Sequence, residues 1–284
     1  LHRLQEAAPR LFVGQLAGGA GTLGFFGDQG PPLRRRFCTL LGLGDPGISW
    51  TSARDRPAEF TQLLAMIAGT LARIGNEVYE LSRPEIGELA ETQPPGGVGS
   101  ITMPHKANPE GAEHLVTLAR LARAQAGVVL EGMVAEGERD GRGWKAEWVA
   151  VPEVCLLTGT GCALARRLLD GLVVNPEAMR RNLDAQGGMA GSEQVLAALA
   201  PAVGKHTAAQ LLQDALRGTR ATLPEALASP AVQATLPAAA RDGLATALAT
   251  ALAAPLATGS AAAMVDEVLR RGADERAREP EVWP

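Results

Sequence analysis

FTQLLAMIAGTLARIGNEVYELSRP, residues 60–84, carries apolar side chains at Phe60, Leu64, Ile67, Leu71, Ile74, Val78 and Leu81. The steps alternate between four and three, the repeat of an α-helix that presents one continuous stripe to partner helices. Pro84, which has no amide hydrogen to donate, ends the run. Over roughly 25 residues, at 1.5 Å per residue, the helix reaches on the order of 40 Å. Short neighbours cannot bury a stripe of that length, so it predicts an elongated helical bundle.

Two further stretches share this length scale. Leu115, Leu118, Ala122, Ala126, Val129 and Met133 form a second seam, and the Asn108-Pro109 pair ahead of it predicts a helix capped by Asn108 with Pro109 as its first residue. A third helical stretch runs over about residues 144–172, where Trp144 and Trp148 share a face, as do Leu164 and Leu168. Seams on several faces predict that other chains complete the bundle. After VVNPEAM the breaks become frequent, at Gly187-Gly188, Pro201, Gly204, Pro224, Pro230 and Pro237, and Leu244, Leu248 and Leu252 form a short stripe suited to a small core. The reading is all-α, with a long-helix bundle domain over residues 1–175 and a small helical domain over residues 176–284. No strand pattern rises above background.

Composition narrows the functional classes. A formal charge of −4 without a long Lys/Arg run gives no general attraction to nucleic acid or anionic lipid. Aromatic residues at 4% with a single tyrosine argue against a base-stacking platform. Cys38, Cys155 and Cys162 are too scattered for a disulfide framework, and Cys155 and Cys162, seven apart on one helix face, read as inert core thiols. The histidines form no HxxxH or HExxH pair, so neither a metal nor an organic cofactor is expected. LHRLQEAAPRLFV at the N-terminus reads as an amphipathic helix entered in mid-pattern, not a signal peptide, which points to a longer polypeptide. Residues 243–265 are uncharged, yet Pro255, Gly259 and Ser260 interrupt a weakly hydrophobic run, so they read as two soluble helices and a turn, not a membrane span. A reducing, cytoplasmic setting fits.

GGVGSITMPHKANPEGAE, residues 96–113, fits neither flanking seam. Gly96, Gly97 and Gly99 free the backbone before Ser100, as in a loop that opens and closes. Lys106 offers a point charge and Asn108 an amide, donors that matter most where negative charge develops beside a carboxylate. Glu113 in the next helix is placed to orient a histidine base. The same residues also fit plain connector chemistry: a cap at Asn108, a solvated Lys106, a turn at Ser100, and a Glu113 favoured by the helix dipole.

The run GSITMPHKANP resembles the G-S-S-x-M-P-x-K-x-N-P signature of the fumarase/aspartase superfamily, with Ile101 replacing the usual second serine. WTSARDR at 50–56 and GWKAEWVAVPE at 143–153 are similar to segments of 3-carboxy-cis,cis-muconate cycloisomerases, as are VGQLAGGAGTLGFFGDQG and NPEAMRRNLDAQGG. The resemblance implies a long-helix bundle of that type and a homotetramer whose active sites combine segments of three subunits. It implies Ser100 as the base removing a Cα proton from a succinyl-type substrate, and Glu113 as partner of an acid histidine. Lys106, Asn108, Thr102, Met103 and Arg139 are implied substrate contacts, and the small-molecule substrate is a carboxylate. The acid histidine lies upstream of this sequence in the family, so a separate chain or segment would supply it.

The resemblance is closest to the cycloisomerases, which implies reversible anti addition–elimination on a di- or tricarboxylate through a carboxylate-stabilised carbanion. Two of their usual histidines are replaced, by Thr51 and Gly137. That keeps open a C–N lyase releasing fumarate from a substituted succinate, of the nitrosuccinate lyase or adenylosuccinate lyase kind. Against the latter, Trp148 stands where adenylosuccinate lyases carry a phosphate-binding arginine. An alternative of another class is a non-catalytic structural relative, as δ-crystallins are of argininosuccinate lyase.

Overall fold

The computed structural model describes residues 2–92, 108–217, 221–238, 241, 243–246 and 258–279. The chain divides into two compact units, one of residues 1–85, 89–174 and 274–284, the other of residues 86–88 and 175–273. The first contains α1 (His2–Leu11), α2 (Gly30–Leu40), α3 (Asp55–Leu81), α4 (Glu110–Glu131) and α5 (Gly141–Asp170). With 27, 22 and 30 residues, α3, α4 and α5 are about 33–45 Å long and pack along one another. They alternate in direction. Gly75, late in α3, meets Ala112 and Leu115 at the start of α4, while Gln62, early in α3, donates to the Ala126 carbonyl near its end.

The buried line of α3 is not the stripe of large apolar residues. Ala58, Thr61, Ala65, Ala68, Gly75 and Val78 face the interior, while Phe60, Leu64, Ile67, Leu71, Ile74 and Leu81 are only half-buried beside it. In α4 the expected seam is largely the buried one: Leu115, Ala122, Ala126 and Val129 are buried with Ala112 and Ala119, Leu118 is half-buried and Met133 beyond the helix is exposed. Small residues win the centre because three helices meet there at close range, and the branched side chains fit only on the flanks. A Cβ on Gly75 would stand 2.8 Å from the Ala112 carbonyl oxygen and 2.9 Å from the Leu115 Cβ.

Three sequence expectations are corrected here. Leu89–Glu91 (β1) and Leu172–Val174 (β2) form an antiparallel pair, with Leu89 opposite Val174 and Glu91 opposite Leu172. Three-residue strands are too short to leave an alternating pattern, and they pair because α3 and α5 end at the same end of the bundle. Cys155 and Cys162 are exposed on α5, and only Cys38 is buried. Pro109, not Asn108, occupies the cap position of α4. The helix begins at Glu110 after Pro109, and Asn108 contributes its carbonyl to the Glu110 amide at 3.0 Å.

By length and composition α5 is apolar enough to cross a membrane, and here it packs on α3 and α4. The second unit holds α6 (Pro176–Ala185), α7 (Ser192–Val203), α8 (Lys205–Leu216), α9 (Leu223–Ala228) and α10 (Pro230–Thr235). Its core gathers Val195, Leu199, Leu212, Leu223, Leu227 and Leu244. Of the Leu244, Leu248 and Leu252 stripe, only Leu244 lies within the described residues. Asn175 accepts from the Ala178 amide at 3.1 Å to start α6, and Thr222 and Glu225 cap α9 reciprocally. A last helix, α11, spans Ala261–Ala277.

Gly75→Ala should lower stability by about 1–3 kcal/mol through overpacking. Gly69→Ala on the same helix, where a Cβ meets nothing within 4 Å, should raise it by about 0.5–1 kcal/mol. Urea unfolding of the two variants checks the sign of each.

Candidate active site

The described ones among the expected site residues, Asn108, Glu113 and Arg139, fall at two ends of the first unit. Ser100, Thr102, Met103 and Lys106 lie outside the described residues. Asn108 and Glu113 stand at the start of α4, where Glu113 is exposed and its amide donates to the Pro109 carbonyl at 3.0 Å. The free amides of this helix start are satisfied by Glu91 from β1, whose carboxylate accepts from Gly111 at 3.0 Å and Ala112 at 2.7 Å. A full negative charge on the helix N-terminus does more than an Asn amide can. The strand pair is what delivers it, which no local sequence signal announced.

Arg139 lies at the opposite end, in the connection between α4 and α5. Its guanidinium stacks over the Trp144 ring at 4.5 Å. The connection is tied down on both sides. Asp140 accepts from the Arg142 amide at 2.9 Å, the Glu136 amide at 3.2 Å and the Arg142 guanidinium at 2.7 Å. Those bonds, the Arg142 side chain first, hold the Asp140 carboxyl well below the usual carboxylate range. From the other side Thr51 donates its hydroxyl to the Glu138 carbonyl at 2.9 Å and pairs with Ser49 at 3.2 Å. Gly137, with φ +66°, makes the bend. Thr51 thus meets Glu138, next to Gly137, across 87 residues of sequence.

Beside this connection opens a cleft of about 730 Å³, lined by Phe12, Trp50, Arg56, Phe60, Trp144 and Trp148 among others. Its polar floor is an ion pair that sequence inspection did not single out. Arg54 donates Nε to Glu147 Oε1 at 2.9 Å, pairs its second nitrogen with Oε2, and gives a third bond to the Trp50 carbonyl at 3.3 Å. Both side chains are over nine-tenths buried. The quoted motifs WTSARDR and GWKAEWVAVPE contain the two partners, and their complementary charges were the only available signal. Arg56 is committed through Nε to the Arg10 carbonyl and stacks on Trp50 at 5.4 Å.

The 22 residues of α4 separate the two ends by about 33 Å. Asn108 and Glu113 on one side and Arg139 on the other therefore cannot touch one small substrate within a single chain.

Close-packed antiparallel helices of this length define a long-helix bundle. A lyase family profile matches residues 1–123. The chain belongs to the fumarase/aspartase superfamily. It is 39% identical over 270 residues to an N-acetyl-S-(2-succino)cysteine lyase of Dickeya dadantii, covering 95% of this chain and 59% of that protein. It is 38% identical over 215 residues to a 3-carboxy-cis,cis-muconate cycloisomerase of Pseudomonas aeruginosa, covering 76% of this chain and 47% of that one. Among solved structures, a fumarate lyase from Mesorhizobium superposes with a TM-score of 0.74 at 34% identity, over 94% of this chain and 59% of that one. The chain thus spans about half to three-fifths of the length of these relatives.

Removing one partner of the buried pair strands the other charge. Glu147→Ala should cost about 3–5 kcal/mol in denaturant unfolding, more than any exposed carboxylate replaced in the same way. At Asp140 the sign runs with a depressed carboxyl: its contribution is complete above the unfolded value near 3.9 and is lost only as pH falls toward the lower folded value. Amide exchange at Glu136 and Arg142 should therefore stay slow down to about pH 4, and Asp140→Asn should make it fast at neutral pH.

Proposed function

We propose that this chain forms part of a lyase that eliminates a leaving group from a substituted succinate through a carboxylate-stabilised carbanion. Ser100 takes the proton from the carbon beside the carboxylate. Lys106 and Asn108, with Thr102 and Met103 around them, hold the carboxylate whose charge grows as that proton leaves. Fixed donors facing the growing charge lower the barrier without reorganising during the reaction. Glu113 orients a histidine acid contributed from outside this sequence. Arg139, presented on Trp144 by a loop tied at Glu136, Glu138 and Asp140, binds a second carboxylate of the substrate.

The observation that carries this reading is the separation of Asn108 and Glu113 from Arg139 by the length of α4. One site needs the loop end of one chain and the Arg139 end of another, which fits a homotetramer with shared sites. For the leaving group we favour a thiol, because the likeness to the succinocysteine lyase extends over 95% of this chain against 76% for the cycloisomerase. Thr51 and Gly137, small where the cycloisomerases carry imidazoles, leave more room at that edge. A cycloisomerase reaction is the second reading, favoured by the motifs at 50–56 and 143–153. A C–N elimination is third.

The full-length enzyme, offered S-succinylated thiols, amino- and nitro-substituted succinates and carboxymuconate, should release fumarate and free thiol fastest from the first group. Lactone as the main product would establish the second reading instead. Ser100→Ala should lower kcat by about 10²–10⁴-fold with the assembly intact. Asn108→Ala and Arg139→Ala should each be nearly inactive alone, while co-refolding them in equal amounts should restore about a quarter of the native sites. No recovery would place both residues in a site built by one chain.

A further inference from the structure

The start of α4 is held from two sides. On one, Ala112 and Leu115 are buried with Val78 of α3 and with Ala165 and Leu168 of α5. On the other, the Glu91 carboxylate accepts from the Gly111 amide at 3.0 Å and the Ala112 amide at 2.7 Å. An ordinary cap comes from the residue at the helix start, but Pro109 stands there and makes no side-chain bond. The acceptor arrives from 20 residues upstream, on a strand with little freedom of its own. Glu91 lies opposite Leu172 in the strand pair, and the next amide, Thr92, donates to the Gly171 carbonyl at 3.1 Å.

Gly111 provides the seat. A Cβ there would stand 3.1 Å from one carboxylate oxygen of Glu91 and 3.3 Å from the other, so a side chain would push the carboxylate away. Glycine is otherwise a poor helix residue, and this close approach accounts for it.

The two fastened amides lie between Asn108 and Glu113 in sequence. We propose that Glu91 is a positioning residue for the elimination: by fastening these amides it fixes the spacing and direction of Asn108 and Glu113, and it touches neither substrate nor acid itself. The inference rests on the reaction proposed above and adds to it a group outside the motif at 96–113. Asn108 is joined to the held turn through its carbonyl, which accepts from the Glu110 amide at 3.0 Å, and the Glu113 amide donates to the Pro109 carbonyl at 3.0 Å. A swing of the helix start therefore moves both residues together, and misplacement by about 1 Å costs on the order of 10²-fold in rate. An unoccupied helix start also attracts any nearby carboxylate. With Glu91 seated there, the substrate carboxylate stays on Lys106 and Asn108, and Glu113 stays turned to its histidine.

The test uses the full-length enzyme and whichever member of the substrate panel above it turns over fastest. Glu91→Gln keeps the shape of the side chain and exchanges one accepting oxygen for a donor, which leaves a helix amide unpaired. It should lower kcat about tenfold and change KM less than about twofold, with helical circular dichroism unchanged. Glu91→Ala should lower kcat about 100-fold, and formate, which replaces the missing carboxylate, should restore about a tenth of the native rate. Hydrogen exchange at Gly111 and Ala112 should quicken in both variants and slow again with formate. Gly111→Ala crowds the same carboxylate with every charge in place and should act in the same direction, whether or not Glu91→Ala folds. A Glu91 that only stabilises the fold predicts a lower melting temperature with native kcat, and that result overturns the positioning role while the reaction stands. Exchange at the two amides that matches the native enzyme, or formate that slows exchange without restoring rate, overturns it likewise. A native enzyme that turns over none of the panel overturns the proposed reaction, and the role of Glu91 falls with it.

Discussion

Close approach of α3, α4 and α5 is the constraint from which the remaining architecture follows. Alanines and Gly75 occupy the centre, where a single added methyl at Gly75 would collide with the Ala112 carbonyl. Where helices pack this tightly, most central positions have room only for small side chains, with Leu63, Leu115 and Leu168 buried among them. The larger residues are displaced to the flanks, and the outer face of α5 is left with Trp148, Val149 and Leu156 in contact with solvent.

Its ends are held by polar groups. At one end Glu91 brings a carboxylate to the start of α4, and the strand pair that carries it joins the segments following α3 and α5. At the other end Arg54 and Glu147 tie α3 to α5 beneath a tryptophan-lined cleft. A buried ion pair adds little net stability over an apolar pair of the same shape, and its directional bonds fix which residues meet. Here they fix where Trp50 and Trp144 stand, and Trp144 in turn carries Arg139. The position of an exposed cation is thereby set from the interior.

This division of labour bears on catalysis. A proton is removed from carbon only if the charge left behind meets donors already in place. A rigid bundle supplies such donors at its ends, and its length keeps those ends about 33 Å apart. Bringing complementary ends of different chains together, which we propose, turns that length from an obstacle into a means of assembling one site from rigid parts. Turnover then depends on association as well as on the individual side chains.

Heptad spacing at 60–81 and 115–133 made the long helices legible, and the motif at 96–113 pointed to the superfamily before any coordinates. Local periodicity and a contiguous motif suffice for both, since each is a property of neighbouring residues. The sequence by itself determined that this is a long-helix protein carrying a glycine-flanked Ser-Lys-Asn motif of the superfamily type. Only the tertiary structure decided that the centre of α3 is lined chiefly by small residues and not by the stripe at 60–81, because the winning face depends on how near the partner helices come. Likewise it decided that Glu91 reaches the start of α4, that Arg54 finds Glu147, that Thr51 meets Glu138 beside Gly137, and that Cys155 and Cys162 face outward. Each is a contact across dozens of residues or a choice between two faces of one helix, and the spacing within a single segment carries no record of either.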